Sequence, residues 1–224
     1  MFNGFTQETI DFMWELRMNN NKVWFEENKE RFKRCFEVPL KALAGDVFEK
    51  VMAEFGERGF VHKVSRIYRD ARRVRDGEPY KTSMWFVIEK PVDDWSFVPV
   101  FWFDIYPDGW SYGLGYYHAK PVTMAKLRAR IERDPEGFER FVAPIAGQGE
   151  FVLGGEEYKR VKQAPSERVQ GWFNRKNFSL SCHNEGHGDV VFSAGLVDRI
   201  VAGYRFLMPF YDYFITLDDD PEPR

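Results

Sequence analysis

The chain has 224 residues, 44% of them hydrophobic and 17% aromatic, including 22 Phe and 7 Trp. That composition fills a sizeable core and excludes an intrinsically disordered chain. Lys and Arg (32) nearly balance Asp and Glu (35) and leave a formal net charge of -3, so any recognition of an anion has to come from a local patch.

In chain order, Thr6 is placed to cap a first helix, with Glu8 in its first turn and Ile10, Met13 and Trp14 at helical spacing. Asn19-Asn20-Asn21 ends that helix, and Asn21 is placed to cap the next, which carries Trp24, Phe25, Phe32, Cys35 and Phe36. Pro39 is expected to interrupt it, because a proline inside a helix loses a backbone bond and clashes with the preceding turn. A third helix follows over roughly 40–55, stopped by Gly56 and Gly59.

After Gly59 the texture becomes extended. "FVHKVSRIYRD" is β-branched and alternating, and "TSMWFVIEK" (82–90) reads as a strand. Two further strands flank Pro107-Asp108-Gly109, a hairpin signal. On the first of them both alternating faces are apolar, which predicts a central strand, and Asp104 is the exception on its face.

A helix begins again at Pro121 and is broken at Asp134-Pro135, where a short helix restarts. "GQGEFVLGG" reads as a loop or short strand. A helix over 166–174, a strand over 177–182 and a turn at Gly186 and Gly188 follow, then a final helix from about Ala194. Helices, an antiparallel meander, then helices make an α+β fold: N-terminal and C-terminal helices packed on a mainly antiparallel sheet. The expected organisation is a single domain over 1–217 with a frayed polar tail at 218–224.

Cys35 and Cys182 form no disulfide framework or zinc-ribbon spacing, which fits a reducing cytoplasm. The N-terminus lacks the basic and apolar regions of a signal peptide, and no run approaches the roughly 18 uncharged apolar residues of a membrane span.

The segment that stands out runs from Ser65 to Ser83, "SRIYRDARRVRDGEPYKTS". Between Lys63 and Lys81 seven cations (63, 66, 69, 72, 73, 75 and 81) face three acids (70, 76 and 78). In an extended chain Arg66, Tyr68, Asp70 and Arg72 share a face, and an aspartate between two arginines can orient their forks while their free edges stay available. Such forks suit phosphate or carboxylate. The segment resembles a bacterial family catalogued as domain of unknown function 2461, whose signature is R-x-x-R-D-x-R-F followed by D-K-x-x-Y. Arg66, Arg69, Asp70 and Arg72 match the first part, and Asp76 and Tyr80 the second. Arg73 stands where the signature has Phe, and Gly77 where it has Lys. "NNNKVWFEENKERF", "GEEYKR" and "RKNF" are similar to further stretches of the same family. The resemblance implies a single domain and gives weight to the Arg-Asp segment. It implies no reaction.

The candidate ligand-binding set is Arg66, Arg69, Asp70, Arg72, Tyr80 and Lys81. Three readings compete. The first is binding of a phosphorylated or other anionic small molecule. The second is a hydrolase or transferase acting on such a molecule, with Asp70 or Asp104 as base and Tyr80 as acid. The third is a structural lattice of ion pairs locking sheet to helices. Asn20 and Asn21 read as caps and Trp24 and Phe25 as core, while Asn28, on the same helix side as Trp24 and Phe25, can fix the Arg segment or a ligand. "CHNEGHGD" (182–189) carries metal-ligand residue types at a spacing that matches no zinc motif. Lys159-Arg160 and Arg175-Lys176 are basic pairs that can extend a cationic cleft, with Trp110, Tyr116 and Tyr117 as stacking surfaces. The expected partner is an anionic small molecule. A nucleic acid or a membrane is not expected, nor is a metal or cofactor.

Overall fold

The computed structural model describes residues 1–70, 72, 77–93 and 97–223. The signature residue Asp76, and Arg73 and Arg75 beside it, lie outside the described residues. The element order is α1 (Gln7–Met18), α2 (Lys22–Phe32), α3 (Val38–Phe55), β1 (Val61–Val64), β2 (Met84–Glu89), β3 (Pro99–Tyr106), β4 (Gly109–Tyr116), α4 (Pro121–Arg133) and α5 (Pro135–Ala146). Then come β5 (Val152–Gly154), α6 (Gln170–Phe173), β6 (Ser179–Glu185), α7 (Gly188–Val191) and α8 (Gly195–Ile215). The six strands form one antiparallel sheet in the order β1-β2-β3-β4-β6-β5, so β3 is central as its two-sided apolar pattern predicts. With the helices before and after the meander, the fold is α+β.

Two local features depart from the sequence expectation. The helix is not interrupted at Pro39. It widens into a π-helical turn over Lys33–Glu37, and α3 starts at Val38 with Pro39 in its first turn. Proline has no N–H to give to the Cys35 carbonyl four residues back. That oxygen instead accepts the buried Thr9 hydroxyl at 2.6 Å, from α1. Second, the strand expected over 177–182 runs further, as β6 over Ser179–Glu185. Gly109 and Gly115 on β4 allow this strand to lie close: a Cβ at Gly109 would stand 2.1 Å from the Asn184 carbonyl, and one at Gly115 2.6 Å from that of Phe178.

The chain divides into two compact units. The first comprises Met1–Lys90, Trp102–Tyr112 and His183–Gly203; the second comprises Pro91–Phe101, Gly113–Cys182 and Tyr204–Arg224. In the first, α3 packs on β1 and β2, and Phe36, Leu40, Leu43, Val47, Phe86, Ile88, Phe103 and Ile105 are fully buried. β1 and β2 pair with His62 opposite Ile88 and Val64 opposite Phe86. Along the first-unit part of β3 every second residue is core, whereas Trp102, Asp104 and Tyr106 are half-buried. This alternation gives β3 a polar-tolerant face away from its core face.

In the second unit Met124, Leu127 and Ile131 of α4 are buried, as are Phe178 and, on α8, Leu207 and Phe214. The Tyr116 hydroxyl donates to the Phe214 carbonyl at 3.1 Å. The polar end is held as far as Asp220. Lys126 donates to the Asp218 carbonyl at 2.8 Å, and the Arg130 guanidinium takes the Asp220 carboxylate together with the Thr216 and Tyr213 carbonyls. Asp134 caps α5 by accepting from the Gly137 amide at 2.9 Å. Among the described residues no helix is long and apolar enough to cross a membrane.

Candidate functional site

The stretch after β1 and the stretch before β2 run antiparallel beside each other. The Arg69 amide donates to the Pro79 carbonyl at 2.9 Å, the Lys81 amide donates to the Ile67 carbonyl at 2.8 Å, and Tyr68 and Tyr80 lie opposite each other. Asn20 closes the ladder. Its side chain donates to the Tyr80 carbonyl at 2.9 Å and accepts the Tyr80 amide at 3.1 Å, so one amide occupies the place of a neighbouring strand. Asn20 is positioned for this by Asn21, which caps α2 through the Trp24 amide at 3.0 Å. Phe25, one turn into α2, stacks on the Tyr80 ring with centroids 4.0 Å apart and planes at 22°. Tyr80 is buried, and burial pushes its hydroxyl above the usual phenol range, with the neighbouring Tyr68 and Glu26 adding and Lys29 opposing. Asn28, the other amide of α2, donates to its own helix at the Trp24 carbonyl.

The three arginines of the signature have three different environments. Arg69 is half-buried. Its Nη1 donates to the Glu78 carbonyl at 3.2 Å and lies 3.6 Å from the Glu78 carboxylate, so it ties the ends of the turn together. Arg72 is exposed and grips Asp70 with two parallel bonds, Nε to Oδ1 at 3.0 Å and Nη2 to Oδ2 at 2.9 Å. Asp70 also accepts the Arg72 amide at 3.1 Å, so this fork is a local turn device. Arg66 is exposed, and its guanidinium makes no ion pair or hydrogen bond among the described residues. Only its backbone is engaged, with the carbonyl accepting the Lys81 Nζ at 2.7 Å.

Lys81 leads from Arg66 to the polar-tolerant face of β3. Its ammonium lies 5.4 Å from the Trp85 ring centroid, a cation–π contact. Burial lowers its affinity for a proton and so does the charge of Arg66, while Asp104 works the other way. Asp104 is the residue that stands out. Burial pushes its carboxyl up to about 7, against the Ser83 side chain and the Ile105 amide, both placed to hydrogen-bond the charged form, and against the Lys81 charge. Its Oδ1 is buried and finds no hydrogen-bond partner among the described residues. The other carboxylate on this part of the sheet, Glu89, is fully buried and paired with Lys63 at 2.5 Å.

The six residues singled out in the sequence thus sort into three groups. Tyr80 and Arg69 meet Asn20, Phe25 and Glu78. Asp70 and Arg72 meet each other. Lys81 meets the Arg66 carbonyl, and Asp104 lies beside Ser83, near enough for its charge to act on Lys81. Ser83 and Trp85 escaped the sequence reading, since nothing in their own positions marks them. Asp104 was marked only as the odd carboxylate in an apolar strand.

The remaining sequence candidates lie apart. Cys182 is buried and His183 exposed, because adjacent strand residues point to opposite faces. His187 bonds the Tyr106 carbonyl at 3.1 Å. Among the described residues no three His, Cys, Asp or Glu side chains converge as a metal would require. In the second unit Arg175 donates to the Gly155 carbonyl at 2.5 Å and pairs with Glu157, and Lys176 pairs with Glu156. Tyr116 is buried there and Tyr117 exposed, while Trp110, in the first unit, is buried against Tyr112. A groove of about 910 Å³ runs along α5, lined by Val142, Ile145, Leu153 and Trp172, and the rim charges Glu139 and Arg168 pair with each other.

A family model described as "Conserved hypothetical protein (DUF2461)" matches residues 8–213, which is most of both units. The chain belongs to that family. No curated protein matches it.

Proposed function

We propose that this member of the DUF2461 family binds an anionic small molecule at the Arg66–Lys81 edge of its sheet, through a phosphate or carboxylate group. The observation that carries the reading is the exposed Arg66 guanidinium, which no protein group occupies among the described residues, beside an ammonium held in place by the Arg66 carbonyl. A planar fork with free N–H groups and a neighbouring point charge suit an oxyanion, which accepts two parallel bonds from the first and a third from the second. Arg72 is exposed but its fork is taken by Asp70, so it stands outside the proposed contact. Arg69 and Tyr80 support the site from beneath: with Asn20 and Phe25 they hold the two stretches in register and so set the spacing of Arg66 and Lys81.

The test is a thermal-shift titration with inorganic phosphate at constant ionic strength, on wild type, Arg66→Ala and Arg69→Ala. A ligand that binds only the folded form raises the melting temperature with concentration. Wild type is expected to rise. Arg66→Ala is expected to start at the wild-type temperature and lose the rise, because a charge-assisted bond is worth about 1.5–3 kcal/mol, or at least about tenfold in affinity. Arg69→Ala is expected to start lower. Full phosphate stabilisation of Arg66→Ala would sink the reading.

A further inference from the structure

We infer that the second unit carries a binding site of its own at the tip of the loop from Tyr158 to Ala164, where Lys159, Arg160 and Lys162 take a ligand with several phosphate groups in a chain. This site stands independently of the sheet-edge reading above. Lys159-Arg160 is one of the two later basic pairs marked in the sequence, and the fold treats the pairs differently. Arg175 and Lys176 are neutralised by Glu157 and Glu156. The side chains of Lys159 and Arg160 are exposed and make no ion pair or hydrogen bond among the described residues.

Side-chain amides hold this loop in shape. Asn174 is buried and grips both ends of the tip: its carbonyl accepts the Tyr158 amide at 3.0 Å, and its Oδ1 accepts the Lys162 amide at 3.0 Å. Gln170 holds the next residues, donating to the Lys162 carbonyl at 2.8 Å and accepting the Ala164 amide at 3.0 Å. The Tyr158 ring gathers two cations. The Lys162 ammonium lies 4.9 Å from its centroid, and the Arg128 guanidinium, from α4, lies 5.5 Å from it. Neither cation has a carboxylate partner among the described residues. One Arg128 nitrogen, Nη1, is enclosed and unbonded, so Arg128 contributes its field to the site and not a contact. The contacts fall to Lys159, Arg160 and Lys162, and every residue from 159 to 162 is exposed.

Four cations thus share one short loop in a protein whose net charge is -3. Like charges this close repel, and the acids just before the loop do not offset them, because Glu156 and Glu157 are engaged with Lys176 and Arg175. A rigid cationic tip sustained without carboxylates suits a ligand that brings its own negative charge, and the ordering cost of the loop is already met in the fold. A single oxyanion engages only part of the tip, since Lys159 to Lys162 span on the order of 10 Å when extended. Consecutive phosphates supply charge along that length: the Arg160 fork takes two oxygens of one group, and the flanking ammoniums take its neighbours. An acidic peptide carries at most one side-chain charge per residue and matches this density less well.

The experiment is calorimetric titration with inorganic tripolyphosphate at low ionic strength. It compares the full chain carrying Arg66→Ala, in which the sheet-edge site is silent, with the same chain carrying Lys159→Ala and Arg160→Ala as well. All three replaced side chains are exposed, so both proteins are expected to melt at the wild-type temperature. Arg66→Ala is expected to bind one tripolyphosphate, and inorganic monophosphate at least about tenfold more weakly. Adding Lys159→Ala and Arg160→Ala is expected to weaken tripolyphosphate by roughly tenfold or more, at about fivefold for each exposed charge. In the Arg66→Ala protein the backbone amide resonances of residues 159–162 are expected to shift saturably. Equal tripolyphosphate binding by the two proteins, or no binding by either, overturns the inference. Equal affinity for an aspartate oligopeptide of the same charge overturns its ligand class. None of these results bears on the sheet-edge reading, which is tested on the Arg66 side chain itself.

Discussion

Replacing Asp104 by Asn isolates what it costs the fold to keep a carboxyl inside the sheet. In the unfolded chain the group titrates at its ordinary 3.8, and burial pushes it up to about 7 in the fold. The folded-state value lies above the unfolded one. Between the two the folded protein holds a proton that the unfolded chain has released, so stability falls as pH rises through this window and levels off above about 7. At about 1.4 kcal/mol per pKa unit, the penalty relative to acid is about 2 kcal/mol at pH 5 and about 4 kcal/mol at pH 8. Asparagine has no such dependence, and the other groups titrate alike in both proteins. The stability gap in favour of Asp104→Asn should therefore widen by about 2–3 kcal/mol from pH 5 to pH 8. For a chain of this size each kcal/mol is worth roughly 2–4 °C. Scanning calorimetry of the two proteins at fixed ionic strength reads the widening directly, as about 5–10 °C. A gap of constant size over this range refutes the reasoning, because it means that Asp104 titrates in the fold as it does in water.

Asn20→Ala leaves the Tyr80 amide and carbonyl without their side-chain partner. It is expected to cost about 1–3 kcal/mol and to speed hydrogen exchange at the Tyr80 amide, whereas Asn28→Ala, which loses only a bond within its own helix, should change little. In the second unit Arg130→Ala removes the clamp on Thr216, Tyr213 and Asp220 and is expected to cost about 2–4 kcal/mol by thermal or urea unfolding. Hydrogen bonding to Arg130 holds the Asp220 carboxyl below its ordinary range, so this contribution is present at neutral pH and is lost as pH falls through the folded-state value. The cost of Arg130→Ala should accordingly shrink in acid.

Much of the fold could be read locally. Hydrophobic period separated the helices from the strands. Pro107-Asp108-Gly109 marked the hairpin and Asp134-Pro135 the restart of α5, because each signal is complete within a few residues. The features that escaped have a partner far along the chain. Pro39 sits in a continuous helical run because Thr9, 26 residues from Cys35, takes the carbonyl that the proline leaves free. Asn20 read as a cap, but its partner is the backbone of Tyr80, 60 residues away. The arginine segment was visible as a concentration of charge, whereas its division was not. That division depends on where Glu78 folds back, on the two-residue reach from Asp70 to Arg72, and on the Arg66 carbonyl that holds the Lys81 ammonium. Asp104 was conspicuous from the start as a lone carboxylate in an aromatic strand, and only its burial in the fold pushes its carboxyl up, against Ser83 and Lys81.

The most direct measurement is a sulfate titration at about pH 6 followed by NMR of the arginine side-chain Nε–H resonances, with Arg66 assigned by substitution. The guanidinium of Arg66 is predicted to shift saturably, Arg69 and its Glu78 contacts to stay in place, and Arg72 to respond weakly if at all because Asp70 already holds its fork. An Arg66 resonance that stays fixed while sulfate is raised, or one that shifts only in proportion to ionic strength, contradicts an anion site at this edge of the sheet.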